Sequence, residues 1–187
     1  MFIQTESTPN PASLKFIPGQ SILSTGTIDY RSVDDAVASP LAQRLFAIDG
    51  VVGVFLGHDF ITVTRTDDMD WSVLKPLILG AIMEHLTSGA PIAQDSLAEG
   101  EGEEESFDPK DAELVAQIKE LIDTRVRPAV ARDGGDIVFR AFRDGTVYLH
   151  MRGSCSGCPS STITLKSGIE NMLRHFIPEV EAVEAVL

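Results

Sequence analysis

Two thiols carry the reactive chemistry in this chain of 187 residues. Cys155 and Cys158 are its only cysteines, three apart in Gly153-Ser154-Cys155-Ser156-Gly157-Cys158-Pro159. A Cys-x-x-Cys chelates a soft metal or exchanges a disulfide, and both reactions use the thiolate. The loop lies between a strand end and a helix start, with Pro159 in the first helical turn. Unpaired N–H groups and the helix dipole there favour thiolate. The sequence therefore predicts two ionised sulfurs converging from an exposed loop that adds little to any core. Zinc and iron–sulfur clusters take four ligands, commonly thiolates. One chain offers two, and a twofold pair of chains would offer four. Three readings stay open: half of a labile metal site closed by a second chain, a thiol oxidoreductase, and a zinc-bridged interaction adaptor. A β-hairpin precedes the loop where a thioredoxin-type motif expects a βαβ unit, which counts against the second. His150 and His175 are weighed as extra ligands and read as surface histidines. His58, in a turn, and His85, near a helix end, read as structural or exposed.

The elements that must position this loop follow from periodicity. Leu114, Val115, Ile118, Leu121 and Ile122 form one helical stripe, strained at Arg127-Pro128 and ended by Asp133-Gly134-Gly135-Asp136. Ile137, Phe139 and Ala141 alternate on a strand. Asp144-Gly145 is a tight-turn signal, and Val147, Leu149 and Met151 alternate on the returning strand, with Tyr148, His150 and Arg152 on its other face. Leu165, Ile169, Met172, Leu173 and Phe176 share a helix face, and a last strand lies within 180–187. The order is α-β-β-α-β. Upstream, Ser39-Pro40 reads as an N-cap followed by proline at the first helical position, and a short helix ends near Asp49-Gly50. Val51 to Leu56 and Phe60 to Arg65 read as a hairpin. Asp70 caps a second helix, in which Pro76 forces a kink or a later start. Phe2 to Thr5 and Leu14 to Ile17 are expected to complete the sheet. The fold class is α+β: two small α+β domains joined by an acidic flexible linker.

Charge marks that linker. The chain holds 28 acids and 15 bases, a net charge of −13. Residues 93–113 alone hold nine acids and one base, too much repulsion and too little apolar surface for a core. The expected division is 1–87, a linker at 88–110, and 111–187. Such acidity argues against a nucleic-acid partner and against an anionic membrane, and no apolar run approaches the roughly 20 residues of a membrane span. Arg125, Arg127, Arg132, Arg140, Arg143 and Arg152 form a local basic excess that could steer an acidic client or line a solvated face. Two cysteines staple too little for a secreted disulfide framework. Met1-Phe2-Ile3-Gln4-Thr5-Glu6 carries neither a signal-peptide nor a transit-peptide composition, so the expectation is a reducing cytoplasm.

Several blocks together resemble a known family. Asp133-Gly134-Gly135-Asp136, the run from Gly153 to Ser161, Leu165 to Glu170 and Ile177-Pro178-Glu179-Val180 are similar to the NifU C-terminal domain of Nfu-type iron–sulfur proteins. Met1 to Thr5, Thr8 to Phe16, Ser39 to Ala42, Asp59 to Thr64 and Asp70-Trp71 are similar to the Nfu N-terminal domain. The resemblance implies a carrier rather than an enzyme. It implies one [4Fe–4S] cluster, with [2Fe–2S] as the alternative, held between the subunits of a homodimer by Cys155 and Cys158 of each. The cluster would come from an upstream assembly scaffold and go to apo client proteins. The resemblance also implies a bacterial cytoplasmic member, and with no apolar patch in the sequence to mark an apo-dimer surface the empty protein is expected to be a monomer.

Overall fold

The computed structural model describes residues 1–94, 105–156 and 159–186 and divides into two units, Met1–Glu101 and Gly102–Leu187. Each closes its own core.

Unit 1 is built on a five-stranded antiparallel sheet in the order β1-β2-β5-β4-β3, from β1 (Gln4–Ser7), β2 (Ser13–Ile17), β3 (Ile28–Tyr30), β4 (Val51–Leu56) and β5 (Ile61–Arg65). The expected early pair and hairpin are present, and β3 is an addition. Its three residues are too few for alternation to show. Helix α1 (Pro40–Phe46) starts where Ser39 accepts a hydrogen bond from Ala42 N–H. Helix α2 (Trp71–Ser88) starts where Asp70 accepts one from Ser72 N–H. Pro76 lies inside α2 and does not delay its start. Leu41, Leu45, Leu74, Ile78 and Ile82 from the helices bury completely with Phe16, Leu56, Ile61 and Val63 from the sheet. Each such side chain contributes on the order of 2 kcal/mol.

Unit 2 follows the expected α-β-β-α-β order, preceded by a short strand. Its sheet order is β6-β7-β8-β9, from β6 (Ser106–Phe107), β7 (Gly135–Arg143), β8 (Thr146–Gly153) and β9 (Ala182–Val186). β7 and β8 are antiparallel, and the outer strands are parallel to their neighbours. The first helical stretch is three pieces: α3 (Ala112–Leu121), one π-helical segment at Ile122–Val126, and α4 (Arg127–Arg132). The π segment lies directly ahead of Pro128, whose ring cannot fit a regular α-helical interior. Helix α5 (Pro159–Phe176) buries Ile169 and Leu173. Phe176 differs from its expected place in the core: it is 46% exposed, and the Arg125 guanidinium stacks 4.8 Å from its ring centroid. A bulge after Phe139 shifts the β7 register, so Phe142 rather than Ala141 faces Val147 across the pair.

The acidic stretch assigned to a linker at 88–110 has structured flanks. His85 Nε2–H donates to Pro91 O at 2.9 Å and Gln94 N–H to Ala38 O at 2.9 Å, which ties residues 91–94 to unit 1. β6 belongs to the sheet of unit 2. Residues 95–104, the heart of the linker reading, lie outside the described residues. Among the described residues no helix is long and apolar enough to cross a membrane.

Candidate functional site

Cys155 lies in the turn that follows β8, and Cys158 lies outside the described residues. Val147, Leu149 and Met151 point into the core of unit 2, and the strand's alternation ends at Gly153, after which Ser154 and Cys155 are both buried in the turn. Cys155 is 7% exposed and packs as a member of that core. This corrects the expectation of an exposed loop for this residue. No periodic signal in the sequence placed it there, because the turn after Gly153 breaks the alternation of the strand.

Burial also reverses the expected ionisation. Loss of solvent pushes the Cys155 thiol up to about 11, against a weaker opposing hydrogen bond from Ser154, and the nearby Asp133 and Asp136 charges add to the rise. A helix N-terminus stabilises a thiolate only where the sulfur faces it. Here desolvation decides, and the thiol is neutral at physiological pH.

Hydrogen bonds fix the turn on three sides. Ser154 N–H donates to Gly134 O at 3.2 Å, and the Ser154 hydroxyl donates to Asp133 O. Ser156 N–H and Oγ–H both donate to Gly153 O, at 3.1 and 2.9 Å. Thr162 Oγ1–H, from the second turn's edge of α5, donates to Cys155 O at 3.0 Å. Gly153 has φ +64°, a conformation that favours glycine. Gly135 is required for a different reason. A Cβ there would fall 2.7 Å from Cys155 Sγ and 2.8 Å from Arg152 O.

Behind the turn, Asp136 is 3% exposed. It accepts from Arg127 Nε at 2.8 Å and Nη2 at 2.9 Å, and from its neighbour Ile137 N–H at 2.8 Å. Arg127 also reaches Asp123 at 3.2 Å. These carboxylates hold the guanidinium firmly protonated. The pair locks α4 onto the start of β7. Neither it nor Thr162 was picked out in the sequence, because partners nine and seven residues apart across an element boundary leave no periodic trace.

The other candidates are placed elsewhere. His150 Nδ1 accepts from Arg140 at 2.7 Å, and His175 stacks edge-on against Phe176. His58 Nδ1–H donates to Leu23 O, and His85 is buried in unit 1. The arginines are dispersed among separate tasks: Arg127 on Asp136, Arg143 on Ser106, Arg125 on Phe176. Among the described residues no three His, Cys, Asp or Glu side chains gather as a metal site.

The family model "Scaffold protein Nfu/NifU N terminal" matches residues 3–89, and the model "NifU-like domain" matches residues 118–184. The chain is 53% identical over 188 residues to the mitochondrial NFU1 iron-sulfur cluster scaffold homolog of Homo sapiens, covering all of this chain and 72% of that protein. It is 53% and 52% identical to the mitochondrial NifU-like proteins 4 and 5 of Arabidopsis thaliana, covering 98% of this chain each time and 65% and 67% of theirs. A solution structure of a NifU-like protein from Saccharomyces cerevisiae overlaps 50% of this chain and 85% of its own, at 29% identity and a TM-score of 0.46. These relatives are mitochondrial, which overturns the assignment to a bacterial cytoplasm. With both domain models matched in order and half the residues shared with such relatives, the chain belongs to the Nfu/NifU family of iron–sulfur cluster scaffold proteins.

Proposed function

We propose that this protein is a carrier, not an enzyme. Two chains hold one [4Fe–4S] cluster through Cys155 and Cys158 of each, receive it from an upstream assembly scaffold, and pass it to apo client proteins. The observation that carries this reading is the donor count. A cluster takes four thiolates, the chain has two cysteines, and no other ligand group gathers among the described residues. The same four thiolates would serve a [2Fe–2S] cluster. Family membership supports iron–sulfur cargo over a zinc bridge. The β7–β8 hairpin ahead of the loop, where a thioredoxin-type motif expects a βαβ unit, speaks against an oxidoreductase. Transfer is ligand exchange. A client thiolate bonds to an iron, one Cys155 or Cys158 thiolate leaves, and the exchange repeats until the cluster has moved. Each exchange forms one iron–sulfur bond to the client and breaks one to Cys155 or Cys158, and the proton given up by the client thiol is balanced by the one the released cysteine takes up.

Anaerobic reconstitution with iron and sulfide tests this, read by iron, zinc and acid-labile sulfide counts and by mass in solution. About two iron and two sulfide per chain with a doubled mass are expected for a shared [4Fe–4S] cluster. A monomer without sulfide whose cysteines cycle through a disulfide would establish the oxidoreductase instead, and zinc without sulfide would establish the adaptor.

A further inference from the structure

The carrier reading requires Cys155 to meet an iron shared with a second chain, yet Cys155 is 7% exposed and packed in the core of unit 2. Its sulfur occupies the space that any side chain at position 135 would fill, since a Cβ on Gly135 would come within 2.7 Å of it. Its carbonyl is held by Thr162 at 3.0 Å, and the preceding residue is held on the 133–134 backbone through both the amide and the hydroxyl of Ser154. Gly153, two residues ahead, has the left-handed φ at which the chain can swing most freely.

We infer that the metal-free protein keeps Cys155 withdrawn, and that Thr162 is a positioning residue that sets how readily Cys155 turns out to take a cluster. Gly135 provides the space for the withdrawn sulfur, Ser154 and Thr162 hold the turn there, and Gly153 is the hinge. Turning out about Gly153 breaks the Thr162–Cys155 hydrogen bond and the Ser154 bonds to the 133–134 backbone, and leaves the β7–β8 hairpin intact. Withdrawal shields the sulfur from oxidants and stray metal ions while the protein is empty. The inference rests on the carrier reading for its purpose, but its geometry can be tested without a cluster.

The test is the rate of iodoacetamide alkylation in the full-length, metal-free Cys158→Ser chain, where Cys155 is the only thiol. Folded protein is expected to react about tenfold or more slowly than the same chain unfolded in urea at the same pH, as for a site reached only by local opening. Thr162→Val, which keeps the shape and removes the hydroxyl, is expected to raise the folded-state rate about fivefold, the effect of one net hydrogen bond. Thr162→Ser restores the slow rate. With both cysteines present, Thr162→Val is expected to fill with iron and sulfide faster, to the same final content. Should Thr162→Val not fold, Ser154→Ala, which frees the Asp133 carbonyl, replaces it with the same expectation. Equal folded and unfolded rates, or variants that react no faster than the parent chain, overturn the inference. A protected Cys155 in a chain that never takes up iron and sulfide would sink the carrier reading and leave the withdrawal standing. Free alkylation in a chain that does load would do the reverse.

Discussion

Asp136 shows how much one buried side chain can hold. It takes both arms of Arg127 and one backbone amide while 3% exposed. Removing it strands a cation. A fully buried pair broken this way costs about 3–5 kcal/mol. Arg127 is 37% exposed and keeps Asp123, so screening lowers the expectation to about 2–3 kcal/mol for Asp136→Ala. Asp136→Asn, which can still accept from Ile137 N–H, is expected to lose roughly half as much. Urea unfolding followed by circular dichroism decides; an unchanged midpoint for Asp136→Ala would mean the pair is idle. Cys155 gives a second prediction, with the sign set by burial. Its folded thiol is raised to about 11 from an ordinary 9.0. Above pH 9 the unfolded chain loses this proton while the folded chain keeps it, so the unfolded state binds fewer protons and stability falls as pH rises from 9 to 11. The loss at pH 10 is about 1 kcal/mol. It is absent below pH 8 and absent from Cys155→Ala, and subtracting the two pH profiles removes every other titrating group. Equal profiles would show that Cys155 is solvated in the folded protein. At this scale the sequence singled out the cysteines and misjudged the surroundings of Cys155: residue type names a chemistry, whereas desolvation depends on what the fold packs around the sulfur, such as Gly135 from β7.

Among the elements, the caps were the most readable feature. Ser39-Pro40 and Asp70 start α1 and α2 where their side chains suggest, because an N-cap acts within three residues and needs no tertiary partner. Features set by distant partners were not readable. β3 exists because Ile28, Asp29 and Tyr30 pair with Leu56, Phe55 and Val54. β6 exists because Ser106 and Phe107 lie along β7. The bulge after Phe139 changes which residues of β7 face inward without any glycine or proline to announce it. Ser39 also shows a local signal acquiring a second, nonlocal use. Fully buried, it caps Ala42 N–H and donates to Ile92 O at 2.6 Å, fastening the end of the α2 extension onto α1. Ser39→Ala is expected to cost about 1–2 kcal/mol. It should also speed amide exchange at Gln94, whose N–H bonds Ala38 O, as well as at Ala42. Ser39→Asp keeps a cap acceptor but cannot donate to Ile92, so it should protect Ala42 and not Gln94. Exchange that is unaltered at Gln94 in both variants would confine Ser39 to capping.

For the whole molecule, charge bears on the proposed pairing of two copies around one cluster. Each chain carries −13, and two such chains repel. The charge is not spread evenly. Residues 1–92 hold ten acids and five bases, residues 93–113 nine and one, and residues 114–187 nine of each. The part that contains Cys155 is therefore neutral as a whole, and pairing through it sets no net charge against another. At about 0.1 M salt the screening length is near 10 Å, so acids remote from Cys155 and Cys158 would contribute little to the proposed pairing. The loaded protein is then expected to keep a doubled mass from about 0.1 to 0.5 M salt, and a strong iron chelator is expected to return it to single chains at every salt concentration. The chelator step separates a cluster that joins the chains from one that merely rides on a dimer formed by other contacts. Sedimentation before and after chelation reads both. A dimer that survives metal removal would move the joining surface away from the thiolates. A doubled mass found only at high salt would place acids from residues 1–113 at the interface, where screening would have to suppress their repulsion before two chains could close on one cluster.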